Sequence, residues 1–186
     1  MHGRGVWHKH GVSRAQRPRP PLDRRRLEEL ALRYVGRFAT TRRRLGDYLQ
    51  RKLAERGWDE DEGAPDPDSL VERLAALGYV DDAAFATARG RSLEARGYGP
   101  RRVAGALRAA GIGEEDGADA LAAARGGAVE AALRLARRRR IGPFAKQAAE
   151  RAEREKWVAT MVRAGHDFAI ARKIADCKPG EMPEFG

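Results

Sequence analysis

The chain of 186 residues is 42% hydrophobic and 34% charged, with a formal net charge of +10; that balance supports a folded core and excludes a chain disordered throughout. Cys177 is the single cysteine, so no internal disulfide forms and a thiolate metal site lacks ligands, which fits a reducing compartment. No run approaches the roughly 18 apolar residues of a membrane span, and the first residues lack the apolar stretch of a secretory signal, so a cytoplasmic protein without a membrane partner is expected.

Residues 1–26, MHGRGVWHKHGVSRAQRPRPPLDRRR, hold eight Lys or Arg against one acid and show no apolar periodicity, which predicts a basic disordered tail. From Leu27 an apolar stripe of Leu27, Leu30, Ala31, Tyr34 and Phe38 has helical spacing. A second helix is expected from about Thr41 to Arg56, stopping at Gly57. The acidic segment DEDEGAPDPD reads as a loop, and Pro67 and Asp68 start a third helix whose expected buried face is Leu70, Leu74 and Leu77.

Asp81 or Asp82 is placed to cap the next helix, which runs to about Arg96 and is broken by GYGP. Pro100 suits the first turn of a helix carrying Val103 and Leu107 to Gly111, and Glu114 to Ala124 forms a short successor. Ala128 to Arg140, a break at IGPF, a long helix ending near Gly165 and a last helix from Asp167 to about Ala175 complete the chain. The expected fold is all-α. Three tandem three-helix repeats, residues 27–80, 81–126 and 127–176, form an elongated array, followed by a C-terminal tail over 177–186.

A recurrence supports the repeat. Gly57, Gly111 and Gly165 stand at equal intervals, each preceded at eight and four residues by an apolar pair: Leu49 and Leu53, Val103 and Leu107, Trp157 and Met161. Such glycines end a helix by turning left-handed, and the preceding pairs lie on one face. Units of this size bury little surface singly and are stabilised by their neighbours.

Chemistry-bearing constellations are missing from the sequence. His2, His8 and His10 lie in the tail, where no scaffold fixes a metal geometry. His166 follows the third glycine and is expected to pack at a helix exit. Asp81 and Asp82 point about 100° apart on a helix and lack a third partner, so capping is preferred to acid/base catalysis. No catalytic, cofactor-binding or metal residues are assigned. Tyr34, Phe38, Trp58, Phe85, Trp157 and Phe168 are read as core or helix-exit aromatics; stacking of bases on Trp58, Tyr98 or Trp157, as in single-strand binders, is the minority reading. The segments TRRRLGDYLQRK, GPRRVAGALR, LRLARRRR and VRAGHDFAIARK each put several cations on or beside a helix, and together they suit a polyanion or acidic groove as partner.

In order and spacing, LALRYVGRFATTRRRLGDYLQRKLAERGW, LAALGYVDDAAFA and RGYGPRRVAGALRAAGI resemble the bacterial RecX family of recombinase regulators, over about residues 27–125. EKWVATMVRAGHDFAIARKI resembles its third repeat, departing at His166 from the Arg-Gly-Phe with which that helix ends in the family. The acidic loop and the basic opening are longer than the family leads one to expect. The resemblance implies tandem three-helix repeats held together by residues such as Asp81, Asp82 and Phe85. It further implies binding in the groove of the RecA nucleoprotein filament, with inhibition of filament growth, ATP hydrolysis, strand exchange and co-protease action on the LexA-type repressor. It implies no cofactor and no bond-making step.

The surface expected to meet RecA or DNA comprises Arg42, Arg43, Arg44, Arg101, Arg102, Arg108, Arg163 and Arg172, together with Arg137, Arg138, Arg139 and Arg140. Contacts to DNA phosphates are expected to be weak and salt-dependent. Two function classes follow: a regulator of the RecA filament, or a non-specific basic DNA-binding protein that competes for DNA through its tail. The face that meets RecA and the oligomeric state are left open by the sequence.

Overall fold

The computed structural model describes residues 20–59, 61 and 63–185. In chain order come α1 (Arg24–Val35), α2 (Arg42–Arg56), α3 (Pro67–Ala76), α4 (Asp82–Ala95), α5 (Pro100–Ala109), α6 (Glu114–Gly126), α7 (Ala128–Arg139), a 3-10 turn at Gly142–Phe144, α8 (Arg151–Arg163) and α9 (Phe168–Asp176). The fold is all-α, as the periodicity predicts. Among the described residues the one extended pairing is an isolated bridge between Leu22 and Trp58.

Local chemistry accounts for the helix starts. Asp23, Thr41, Asp66, Asp81 and Asp167 each stand before a first turn and accept a hydrogen bond from one of its free backbone amides. Pro67 and Pro100 occupy first-turn positions, where a missing N–H costs nothing.

The buried side chains form three clusters, each drawn from three consecutive helices. Leu27, Ala31, Leu45, Leu49, Leu70 and Leu74 build the first; Ala86, Leu93, Val103, Leu107 and Ala120 the second; Ala132, Leu135, Val158, Met161, Ala171 and Ile174 the third. At about 25 cal/mol per Å² of apolar surface removed from water, this burial is the main force ordering each trio.

Several expectations are corrected. Residues 20–26, assigned to the disordered tail, are ordered: Leu22 is fully buried, its backbone bonds to Gly57 and Asp59, and α1 starts at Arg24 because Asp23 caps it. The rest of that tail, residues 1–19, lies outside the described residues. Leu77, expected on the buried face of α3, is 66% exposed, because the helix ends at Ala76 and Val71 and Val80 fill the first core instead. Phe38 and Phe168 are likewise exposed; each carries an arginine over its ring, Arg37 and Arg172. In the C-terminal segment Gly180 donates to the Pro143 carbonyl and Phe185 packs on the third core.

The recurring glycines do more than end helices. The C-terminal end of α8 meets the N-terminal end of α5: Gly99 N–H donates to Ala164 O at 3.0 Å and Arg101 N–H to Gly165 O at 3.1 Å. The C-terminal end of α5 likewise meets the start of α2, where the Thr41 hydroxyl donates to Ala110 O at 2.7 Å. Carbonyls that no helix turn satisfies thus find donors at the next helix, with the two dipoles aligned head to tail. A β-carbon on Gly165 would overlap the Arg102 backbone, and one on Gly111 the Arg43 side chain, whereas one on Gly57, whose carbonyl accepts from Leu22, meets nothing within 4 Å among the described residues.

Candidate functional site

These joints aim charge. Where α2, α4, α5 and α8 converge, a groove of about 580 Å³ is lined by Arg44, Arg89, Arg96, Arg101, Arg102 and Arg163, with Tyr98 among them and Leu93, Val162 and small residues as floor. No carboxylate, histidine or thiol lines it. Among the described residues only Arg101 of the six forms an ion pair, with Asp167 at 3.3 Å. Tyr98 carries Arg96 and Arg102 over its ring at 5.2 and 5.7 Å, and Arg44 lies 5.2 Å over Phe85 of the neighbouring unit. These cation–π contacts restrain guanidinium groups without neutralising them. Exposed like charges gathered in a concave surface raise the local potential and concentrate anions. The lining supplies donors and charge, so what it can do is hold a polyanion.

The structure brings four of the expected arginines, Arg44, Arg101, Arg102 and Arg163, into this groove. Arg42 is drawn instead into the joint between α2 and α4: its guanidinium lies 3.9 Å from Asp82, 3.5 Å from Asp116 and 3.8 Å from Glu72. Arg172 is engaged by Glu155 through two hydrogen bonds of 2.9 and 3.1 Å, which hold the Glu155 carboxyl below its ordinary range. Arg43, Arg108 and Arg137 to Arg140 lie outside the groove lining; Arg43 faces Asp47 at 4.0 Å, and Arg137 covers Phe144 at 5.0 Å. Sequence reasoning missed Arg89, Arg96 and the placement of Tyr98. The available signal was the seven-residue spacing of Arg89 and Arg96, two helical turns on one side of α4.

Two buried titratable groups hold the joints. Asp81 caps α4, while Asp82, 5% exposed, accepts the Arg42 backbone N–H at 2.9 Å and so caps α2 of the preceding unit. Burial pushes the Asp82 carboxyl up, against the pull of the Arg42 amide and guanidinium. His166 is fully buried at the joint of α8 with the α4–α5 turn; its Nε2 lies 3.0 Å from Gly97 O and its Nδ1 has no partner. The accepting carbonyl makes Nε2 the protonated nitrogen of a neutral ring, and burial lowers its pKa from the ordinary 6.5.

The sign of the resulting pH dependence follows. In the unfolded chain His166 takes up a proton below about pH 6.5, whereas in the fold it resists, so stability is fully present above that value and falls as pH drops. Thermal melting of the wild type is expected to decline between about pH 7.5 and pH 5.5 more than that of His166→Leu, which has no ring to protonate. Parallel declines for the two would remove His166 from the joint's energetics.

Fold and site thus define a tandem-repeat helical protein whose joints assemble an arginine-lined groove. Residues 81–121 match the family model described as RecX, second three-helix domain. The chain is 35% identical over 160 residues to the regulatory protein RecX of Myxococcus xanthus, covering 82% of this chain and 86% of that one. It is 33% identical over 154 residues to the Xanthomonas campestris protein of the same name, covering 82% and 90%. The crystal structure of RecX from Lactobacillus salivarius superimposes with a TM-score of 0.60 at 22% identity, over 81% of this chain and 92% of that one. This chain belongs to the RecX family of regulatory proteins.

Proposed function

We propose that this protein lies in the helical groove of the RecA nucleoprotein filament and inhibits RecA ATP hydrolysis, strand exchange and co-protease activity, acting in the cytoplasm as a binding protein and not as an enzyme. Family membership supports the target. The observation that carries the reading is the arginine groove, assembled from three units and free of carboxylates. A series of linked units spanning adjacent subunits gains avidity, because each further contact is intramolecular once the first has formed.

The second reading, non-specific DNA binding in competition with RecA, rests on the cationic opening of the chain. Removing residues 1–19 separates the two. The cut stops before Pro20 because Leu22 belongs to the first core and Pro20 O accepts from Arg56. The truncated protein is expected to keep most of its inhibition of RecA ATPase while binding long naked DNA several-fold more weakly, the tail having supplied encounter rate and counterion release. Inhibition and DNA affinity falling together would replace the filament reading with simple competition.

A further inference from the structure

We propose that the acidic loop after α2 enters the arginine groove of a second copy of this chain, so that self-association covers the groove. The contact stands without the filament reading and adds to it a competitor carried by the protein itself. Residues 59–68, DEDEGAPDPD, hold six acids and no base. Asp66 caps α3, yet among the described residues neither it nor Asp59, Asp61 or Asp68 forms an ion pair. The groove shows the opposite lack, since Arg44, Arg89, Arg96, Arg102 and Arg163 have no carboxylate partner among the described residues. Two unpaired charge sets of opposite sign on one chain are complementary surfaces for each other. Each guanidinium presents a planar fork of N–H donors that matches both oxygens of a carboxylate.

The loop of the same molecule does not reach. The start of α2 is bonded to the second unit through Thr41 to Ala110 and Arg42 to Asp82, and the end of α3 leads into α4. Both helices therefore carry the loop away from the groove; along α2 alone Arg56 stands about 18 Å from Arg44. The loop is also pinned: Asp59 N–H donates to Leu22 O at 2.8 Å, Trp58 Nε1 to Gly63 O at 2.6 Å, and Asp66 accepts from Ser69 at 2.9 Å. Held in that way it faces outward, with Asp61, Gly63, Ala64, Pro65 and Asp66 exposed. The other acidic run is already committed, because Asp116 faces Arg42 at 3.5 Å and Glu114 and Glu115 complement the positive end of α6. The net charge of +10 repels two copies at long range, but physiological salt screens that repulsion beyond about 8 Å and screens partly buried pairs much less. A loop in a cleft buries little area, so the contact is weak and reversible. It is head-to-tail, leaving one free loop and one free groove on each pair.

The test is sedimentation velocity of the full-length chain in a concentration series reaching about 200 µM, where so small an interface is populated, with inhibition of RecA ATPase measured alongside. Glu60→Gln/Asp61→Asn/Glu62→Gln neutralises the loop and keeps Asp59 and the capping Asp66, while Arg89→Glu/Arg96→Glu reverses the groove at two exposed positions. Wild type should gain mass with concentration, and each variant alone should associate at least about tenfold more weakly. The mixture is the sharpest sample. One variant keeps its groove and the other its loop, so together they form a dimer that neither forms alone. A wild type that stays monomeric throughout overturns the proposal, as does a loop variant that associates like wild type or a mixture without dimer. Where wild type is assembled, the loop variant should inhibit RecA several-fold better per molecule. Dispersal with inhibition unchanged upholds the self-contact and removes the groove from the proposed function.

Discussion

Gly165→Ala is expected to destabilise the chain by about 3 kcal/mol, of which about 1–2 is the cost of a side chain in a left-handed conformation and the rest overpacking. Gly165 has φ +94°, and its β-carbon would meet the Arg102 backbone, which cannot yield without parting α8 from α5. The hydrogen bonds from Gly99 and Arg101 to the end of α8 would go with it. Gly57→Ala is the control without a steric clash: φ is +75° with ψ 173°, a conformation essentially confined to glycine, but the added carbon meets nothing within 4 Å among the described residues, so only the conformational cost of about 2 kcal/mol remains. Gly111→Ala should fall between them, since what it meets is the Arg43 side chain, which swings aside more readily than backbone. Urea unfolding followed by circular dichroism gives the three values. Equal losses would show that the repeating glycine serves only to end its helix and plays no part in joining units.

Arg44→Glu/Arg102→Glu is expected to weaken inhibition of RecA ATPase by at least about tenfold, the effect of setting charges of the wrong sign in the groove if, as proposed, it binds by electrostatic complementarity. Arg44 comes from α2 and Arg102 from α5, so the pair tests the groove across a joint. Arg101 is the poorer choice. Its side chain is paired with Asp167, and a glutamate there would face that carboxylate and strain the α5–α8 joint. Reversing Arg138 and Arg139, at the exposed end of α7 and outside the groove lining, should leave most of the inhibition. The opposite ranking of the two double variants would move the interface from the groove to α7.

The sequence by itself determined the helices and their order, because caps, prolines and apolar spacing act between residues within a few turns of one another. Asp23, Thr41, Asp66, Asp81 and Asp167 bond to amides no more than three residues ahead; Thr41, Asp81 and Asp167 were legible as helix starts, whereas Asp23 was hidden by the arginines that follow it and Asp66 by the acidic loop around it. The equal spacing of Gly57, Gly111 and Gly165 was visible as well, and so was the positive φ each adopts. What that turn meets was not. Only the tertiary structure decided that Gly111 lies on Arg43 and Gly165 on Arg102, that Asp82 caps a helix in the unit before its own, and that Leu77 stays in water. The same holds for the arginines. In sequence Arg42, Arg44 and Arg172 are equivalent exposed cations, and Arg89 and Arg96 sit in a helix of small and charged residues with no marked face. Their fates diverge because a carboxylate within reach of a guanidinium consumes its charge, and which arginines have one depends on how the units are turned against each other. That angle is set by backbone contacts at the joints, between residues far apart in the chain, and no local pattern encodes it.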